Sequence, residues 1–476
     1  MIVYEATKEI FINDVINNQI AGRIEQLYRL RVGQNVNPRE KEAWKNSMMY
    51  MNNVLNDVSI PNNSGIAIEF KIPYTSKRID FIITGRDKQG RNIAIIVELK
   101  QWTEAEIVEG QDGIVRTFTG GAMREVAHPS YQAWSYAAYI EDFNENVQRD
   151  NVKLLPCAYL HNYENVEPKT ILSDKYKDYI EKAPVFISGD ALKLREFIKK
   201  YVTEGDNKET LYLIENGKIK PSKSLQDCIA GMVKQNKEFI LLDNQKVVYE
   251  TAMEMAKKSN EDGKKRCLIV KGGPGTGKTV LAINLLSDLT NKPYEMVCHY
   301  VTKNAAPRAV FKAKLKGTEK ISKIDNMFKG SGIYTEAKKD DVGVILADEA
   351  HRLNAKSGMF KNQGENQIKE IINAAKFSVF FIDETQRIDI YDIGSVAEIE
   401  KYLDEFGIVG EERKILELES QFRCNGSDGY LAWLDDVLEI RQTANNDGFD
   451  IDYDIQIMDN PNDVKDKIFE LNKINN

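Results

Sequence analysis

Apolar residues in the second half of the chain fall into short, nearly continuous runs at 268–271, 300–302, 342–348 and 378–383. Between them lie stretches with apolar residues three and four apart, such as Val280, Leu281, Ile283, Leu285 and Leu286. Unbroken short runs alternating with amphipathic helices predict a parallel sheet covered on both faces. The first half mixes both periods. Residues 78–85 and 92–102 read as two apolar-rich strands flanking a polar turn that contains Gly90, the pattern of a β-hairpin. Residues 190–201 read as an amphipathic helix, 205–208 as a polar linker and 222–234 as a helical connector. The expected organisation is an α/β chain with a first domain at 1–205, a connector at 206–238, a parallel-sheet domain at 239–425 and a partial further region at 426–476.

Between the strand at 268–271 and the helix that follows it lie Gly272, Gly273, Pro274, Gly275, Thr276, Gly277, Lys278 and Thr279. Glycines let such a segment curl until its N–H groups face an anion, and the helix N-terminus adds its dipole. This predicts binding of a nucleoside triphosphate, ATP with Mg²⁺, in which Lys278 reaches the β/γ-phosphates and Thr279 the metal. The run at 342–348 ends in Asp348 and Glu349. Asp348 is suited to hold the Mg²⁺ water shell and Glu349 to orient or deprotonate the attacking water. Acids at strand ends also serve as helix caps, so position downstream of the loop carries this reading. The run at 378–383 ends in the same way, and Gln386 could sense the γ-phosphate, although an ordinary strand-end turn has the same composition. Gln245, ahead of the loop, suits the adenine edge. Arg423 could supply positive charge to a phosphoryl-transfer transition state, or form a surface ion pair.

The hairpin permits a geometric prediction. Asp80 and Glu98 are equidistant from Gln89, so a turn centred there sets them opposite each other. Side chains alternate along a strand, which puts Lys100 on the same face as Glu98. Two carboxylates so placed repel unless a cation lies between them, and Mg²⁺ is the expected one. Lys100 would then orient or activate a water for attack on a phosphodiester. A surface hairpin with a cross-strand ion pair would look similar, but the apolar run beside Glu98 predicts a buried centre, and buried acids need a reason. Glu40, in the first turn of a helix ahead of the hairpin, is a candidate further metal ligand, or simply favourable to the helix dipole. Gln132 and Tyr136 lie one turn apart on a helix after the hairpin.

Composition narrows the setting. A net charge of −8 gives no global attraction to nucleic acid, so any such binding needs a local basic surface. Cys157, Cys228, Cys267, Cys298 and Cys424 and the four histidines show no metal-ligand spacing. The cysteines read as reduced, mostly buried thiols of a cytoplasmic protein. No apolar run approaches the length of a bilayer span, and the first residues lack a basic segment followed by a hydrophobic one, so no membrane association is expected.

Gln245, the glycine-rich loop, Thr302-Lys303-Asn304-Ala305-Ala306-Pro307-Arg308, Asp348-Glu349-Ala350-His351-Arg352, Asp383-Glu384-Thr385-Gln386-Arg387 and Gln421-Phe422-Arg423 follow the order of superfamily 1 helicase motifs. As a set over about residues 235–440 they resemble the Schlafen-type group of bacterial DNA/RNA helicase domains. The resemblance implies a RecA-like P-loop fold, with residues 302–308 along a nucleic-acid strand. Lys312, Lys314, Lys316, Lys320 and Lys323 would then form a phosphate-contacting face, though any one of them also fits a solvated helix surface. Helicases of this group carry a second motor half, whereas about 50 residues follow Arg423, so a truncated or reduced second half is expected. The Asp…Glu-x-Lys arrangement resembles the PD-(D/E)XK nuclease superfamily over about residues 20–200, with Ile79 where that pattern has proline. It implies a restriction-endonuclease-like α/β domain, and in several families of that fold a Gln-x3-Tyr pair borders the metal site. The expectation is a Mg²⁺-dependent nuclease coupled to an ATP-dependent helicase-like motor on nucleic acid. DNA is favoured over RNA, with defence against invading DNA as the role by family analogy. The alternatives are an ATP-gated nucleic-acid-binding switch without translocation, and a relic whose nuclease fold only grips its ligand.

Overall fold

A computed structural model describes residues 1–32, 35–73, 75, 77–164, 170–217, 225–236, 239–358, 362–387, 389–418, 433–434, 437–439 and 456–474. Two compact units are present, Met1–Gly426 and Ser427–Asn476. In the second, the principal described element is the helix Pro461–Ile474. Among the described residues, no helix is long and apolar enough to cross a membrane.

The first part of the large unit contains strands β1 (Ile2–Thr7), β2 (Gly65–Lys71), β3 (Arg78–Arg86), β4 (Asn92–Lys100), β5 (Glu106–Ile107), β6 (Ile114–Thr119), β7 (Ala122–Ala127), β8 (Lys153–Leu160) and β9 (Val185–Ile187). Six of them form a mixed sheet in the order β1-β2-β3-β4-β8-β9, antiparallel up to β4 and parallel beyond it. Strands β5 to β7 make a separate three-stranded sheet. The hairpin forms as expected: Phe81 pairs with Val97 and Arg86 with Asn92. Gly90 closes the turn at φ 73°, donating its N–H to the Asp87 carbonyl. Helices cover both faces of the large sheet, which is why the hairpin strands are apolar almost throughout. Phe81, Ile83, Ile95 and Val97 share a core with Phe11, Ile24, Trp44 and Leu194, while Ile82, Ala94 and Ile96 pack with Tyr136, Ala137 and Ile140.

Residues 205–208, read as a linker, are built into this first part. Asp206 is buried and accepts hydrogen bonds from the Gly65 N–H (3.1 Å), Thr84 Oγ1 (3.1 Å) and the Thr210 N–H (3.0 Å). The helix Glu209–Glu215 that follows lays Leu211 and Ile214 on the sheet.

The second part adds β10 (Arg266–Gly272), β11 (Cys298–Val301), β12 (Phe328–Lys329), β13 (Val342–Ala347), β14 (Ala375–Ile382) and β15 (Arg413–Leu418), in the order β12-β11-β13-β14-β10-β15. Every pairing in this sheet is parallel. The apolar runs foretold four of these strands; β12 and β15 are additions at the two edges. From β10 the chain crosses through helix Lys278–Thr290 to β11, skipping two positions in the sheet. Such crossings open a crevice at the carboxyl ends of the strands, where open α/β sheets bind ligands. The molecule is thus α/β, with a mixed sheet in its first half and an all-parallel sheet in its second.

The two parts meet along helix Asn244–Asp262, the longest described helix of the second part. Lys246 Nζ bridges Glu250 (2.8 Å) and Asp112 (3.0 Å), and Gln111 Nε2 donates to Glu254 (2.8 Å). Asp112 and Gln111 lie between β5 and β6, so the small sheet holds this helix.

Candidate functional site

The glycine-rich loop leaves β10 at Gly272 and enters helix Lys278–Thr290. Gly275 and Gly277 adopt φ values of 77° and 86°, which a side chain would resist. At Gly277 a Cβ would also lie 2.3 Å from Gln245 Nε2. That close approach lets Gln245 donate to the Thr276 carbonyl (3.1 Å) while its Oε1 accepts from the Leu242 N–H (3.1 Å). Gln245, read as an adenine contact, therefore ties its own turn to the loop backbone. Lys278 Nζ lies inside the curl, donating to the Gly272 (2.6 Å) and Gly273 (2.7 Å) carbonyls.

Opposite the loop, β13 ends in the acid pair. Asp348 is buried and accepts from Thr279 Oγ1 (2.8 Å), Tyr300 Oη (2.7 Å) and the Glu349 N–H (3.0 Å). Thr279 and Asp348, expected to share a metal, are thus adjacent. Burial raises the Asp348 carboxyl above its ordinary range, and the neighbouring Glu349 adds to this. Glu349 moves the other way, held down chiefly by a hydrogen bond from His351. Its backbone sits at φ 55°, a strained value for a glutamate at a strand end. His351 Nδ1 accepts the Asp383 N–H (3.3 Å), which leaves Nε2–H to donate to Glu349 (3.1 Å). Gln386 Nε2 donates to Asp383 (2.8 Å), so the ends of β13 and β14 form one network. Tyr300 and His351 are residues whose roles the apolar pattern did not announce. Arg423 lies outside the described residues, as do Gln421 and Phe422.

Residues 302–308 lead from β11 into helix Ala305–Leu315. Two of their cations are engaged within the fold. Lys303 pairs with Asp392 (2.8 Å), which also takes Arg352 (2.7 Å), and Arg308 donates to the Thr302 carbonyl. Of the lysines that follow, Lys312 pairs with Asp325 (2.6 Å) and Lys323 with Glu319 (3.4 Å), while Lys314, Lys316 and Lys320 are exposed.

In the first half, the β3–β4 register carried one step past Phe81 and Val97 sets Asp80 opposite Glu98. Asp80 accepts the Leu99 N–H (2.8 Å) and Lys100 Nζ donates to Glu98 Oε1 (2.6 Å). Glu98 is 2% exposed; its Oε2 accepts no hydrogen bond, and the two carboxyls are close enough for one to hydrogen-bond the other when protonated. Burial raises both carboxyls, Glu98 strongly, and the charge of Asp80 raises Glu98 further. Burial opposes the charge on Lys100, but the two acids more than offset it. Gln132 and Tyr136 lie one turn apart on the helix Pro129–Phe143. Gln132 Nε2 donates to Tyr136 Oη (3.0 Å), and the charge of Glu98 is felt at Tyr136.

Glu40 is not brought to Asp80 and Glu98. Arg78 takes it at 3.1 Å and binds Glu69 at 2.8 Å, so the guanidinium occupies the position between these acids. Glu69 was overlooked because it sits within an apolar strand. It is buried, accepts from Trp44 Nε1 (2.7 Å), and burial raises its carboxyl to about 7 against the pull of Arg78.

Among the described residues, no three His, Cys, Asp or Glu side chains converge as a ready-made metal cage. Mg²⁺ does not require one, since it keeps several waters and is commonly bound through one or two carboxylates and a substrate phosphate. A half-buried Asp80 beside a buried Glu98 fits that mode.

Residues 265–476 match the family model described as Schlafen group 3, DNA/RNA helicase domain. Among curated proteins none matches the chain. The family match supports a helicase-type domain in the second half, one that binds nucleotide and acts on nucleic acid, and it does not extend to the mixed-sheet half.

Proposed function

We propose that the chain joins a Mg²⁺-dependent nuclease, centred on Asp80, Glu98 and Lys100 in a PD-(D/E)XK-type fold, to an ATP-hydrolysing, RecA-like helicase motor acting on DNA or RNA. The observation that carries the nuclease part is the pairing of half-buried Asp80 with buried Glu98, whose Oε1 lies 2.6 Å from Lys100. An acid beside a second acid is costly to bury, and a stable protein that keeps it has a use for the charge. Bound there, Mg²⁺ together with the Lys100 ammonium would balance the charge of the pair and the phosphodiester, and the cation would make a water more acidic. Asp80 and Glu98 would hold the cation, and Lys100 would orient the attacking water and neutralise developing charge. On the motor side Lys278 would meet the β/γ-phosphates, Thr279 and Asp348 would share the nucleotide's Mg²⁺, and Glu349, kept ionised by His351, would orient the attacking water.

The test is incubation with labelled single- and double-stranded DNA and RNA in Mg²⁺, with and without ATP. Cutting should fall by on the order of 10²-fold or more in Asp80→Asn and Lys100→Ala. A parent that cuts nothing, or variants that cut equally well, would remove the nuclease. A second reading, an ATP-gated switch without translocation, is favoured by the contacts of Lys246, Glu250 and Glu254 with the small sheet of the first half. ATP hydrolysis with and without single strands separates the two, since a motor is strongly stimulated by its track.

A further inference from the structure

Asp243 belongs by sequence to the turn that precedes helix Asn244–Asp262, two residues before Gln245 and its hydrogen bond to the loop. Its side chain instead reaches toward the other site. Tyr136 Oη donates to Asp243 Oδ2 (2.5 Å), Lys77 Nζ lies 3.3 Å from the same oxygen, and Oδ1 is buried without a hydrogen-bond partner. It is near enough that its charge acts on both Glu98 and Lys100. Its neighbours are clasped to the same face: Leu242 joins the core beneath Tyr136 and Ile140, and Tyr131 Oη donates to the Leu241 carbonyl (2.6 Å). The Asp243 backbone sits at φ 31°, ψ −101°, a conformation that side chains avoid. A strained residue with an orphaned oxygen, tied at once to two candidate sites, is the kind of element whose strain serves a function.

We propose that Asp243 couples the two sites. The turn that grips the phosphate loop through Gln245 also delivers a carboxylate to the acid–lysine cluster. Nucleotide at the loop and a divalent cation at Asp80 and Glu98 therefore alter one another's affinity, and linkage makes that effect reciprocal. The inference rests on the reading of Asp80 and Glu98 as a cation site. Any displacement of the loop on binding phosphate passes through Gln245 to Leu242, whose N–H it holds, and Asp243 is the next residue.

The experiment uses the full chain and Mn²⁺ as probe, with bound Mn²⁺ measured by electron paramagnetic resonance with and without a saturating non-hydrolysable ATP analogue. The equivalent lost in Asp80→Asn defines the acid-pair site. In the parent its affinity should change by about fivefold or more when nucleotide binds. In Asp243→Asn it should be weaker overall and change by less than about twofold with nucleotide. Tyr136→Phe, which removes the hydrogen bond to Asp243 while leaving every acid in place, should shrink the change and decides the matter if Asp243→Asn does not fold. An acid-pair site whose affinity is indifferent to nucleotide in the parent, or an undiminished change in both variants, overturns the coupling alone. If Asp80→Asn loses no Mn²⁺, the cation site falls and the coupling with it.

Discussion

The two candidate sites each set a pair of acids at strand ends, and they are held in opposite ways. At the phosphate loop Asp348 receives three hydrogen bonds and Glu349 is braced by His351, so burial raises one carboxyl while hydrogen bonding lowers the other. In the mixed sheet Asp80 and Glu98 are both raised, and Lys100 donates a hydrogen bond to Glu98. A split pair has its two roles assigned before any ligand arrives. A pair raised together is costly to ionise until a cation comes, and its proton must leave when one binds. The first arrangement is preset, and on the proposed reading the second would be completed by its ligand.

The largest expected effect isolates the preset site. Lys278→Ala should lower ATP hydrolysis by on the order of 10³-fold, since a charge aimed at the transferring phosphoryl group is lost. ATP-independent cutting should stay within about twofold of the parent. Equal loss of both activities would show that the two sites are one machine, and the contrast drawn above would fail.

A smaller effect tests the brace. His351→Ala should lower kcat for ATP by on the order of tenfold with KM nearly unchanged, because Glu349 loses its orientation while nucleotide contacts remain. His351→Gln, which keeps a donor, should recover part of the loss. A change confined to KM would mean that His351 shapes nucleotide binding instead.

The same contrast explains what could be read in advance. The loop depends on backbone conformation, and glycines at 275 and 277 announce it because almost nothing else tolerates those angles. The Asp80–Glu98 pairing was legible because an antiparallel hairpin obeys simple arithmetic once its turn is located. Asp243 was not legible as part of that site, because it reaches Tyr136 across 107 residues of chain and local pattern carries no trace of such a contact. Glu40 misled for a related reason. Its helix was correctly placed, but an acid in a first turn has several possible partners, and Arg78 took it. Tyr300 and Glu69 sit in strands whose periodicity marks them as core, which hides a polar atom that hydrogen-bonds there.

Glu69 gives the mixed-sheet half a pH test of its own. Its carboxyl is raised from 4.5 to about 7, so the folded chain keeps a proton there that the unfolded chain releases. The resulting stability is full below about pH 4.5 and is lost as pH rises through about 7. Glu69→Gln removes this dependence. The parent's melting temperature minus the variant's should therefore fall by a few degrees between pH 5 and pH 8. A difference that is flat with pH, or rises, would mean that Arg78 and Trp44 hold Glu69 ionised and that the strain of burial lies with Asp80 and Glu98 alone.

The smallest effect concerns the lysines beyond β11, where the second half would meet a nucleic-acid strand. Lys312 is already neutralised by Asp325 at 2.6 Å, whereas Lys316 is exposed just past the end of its helix. A phosphate contact releases counterions only if the lysine's charge is not already spent. Lys316→Ala should weaken single-strand binding about two- to fivefold at low salt and reduce the slope of log K against log salt by about 0.7. Lys312→Ala should change that slope by less than half as much, because its charge is already spent on Asp325. Equal slopes for the two variants would place the strand elsewhere on the second half. The reverse order would mean that binding breaks the Lys312–Asp325 pair, and this surface would then also be completed by its ligand, as proposed for the acid pair of the first half.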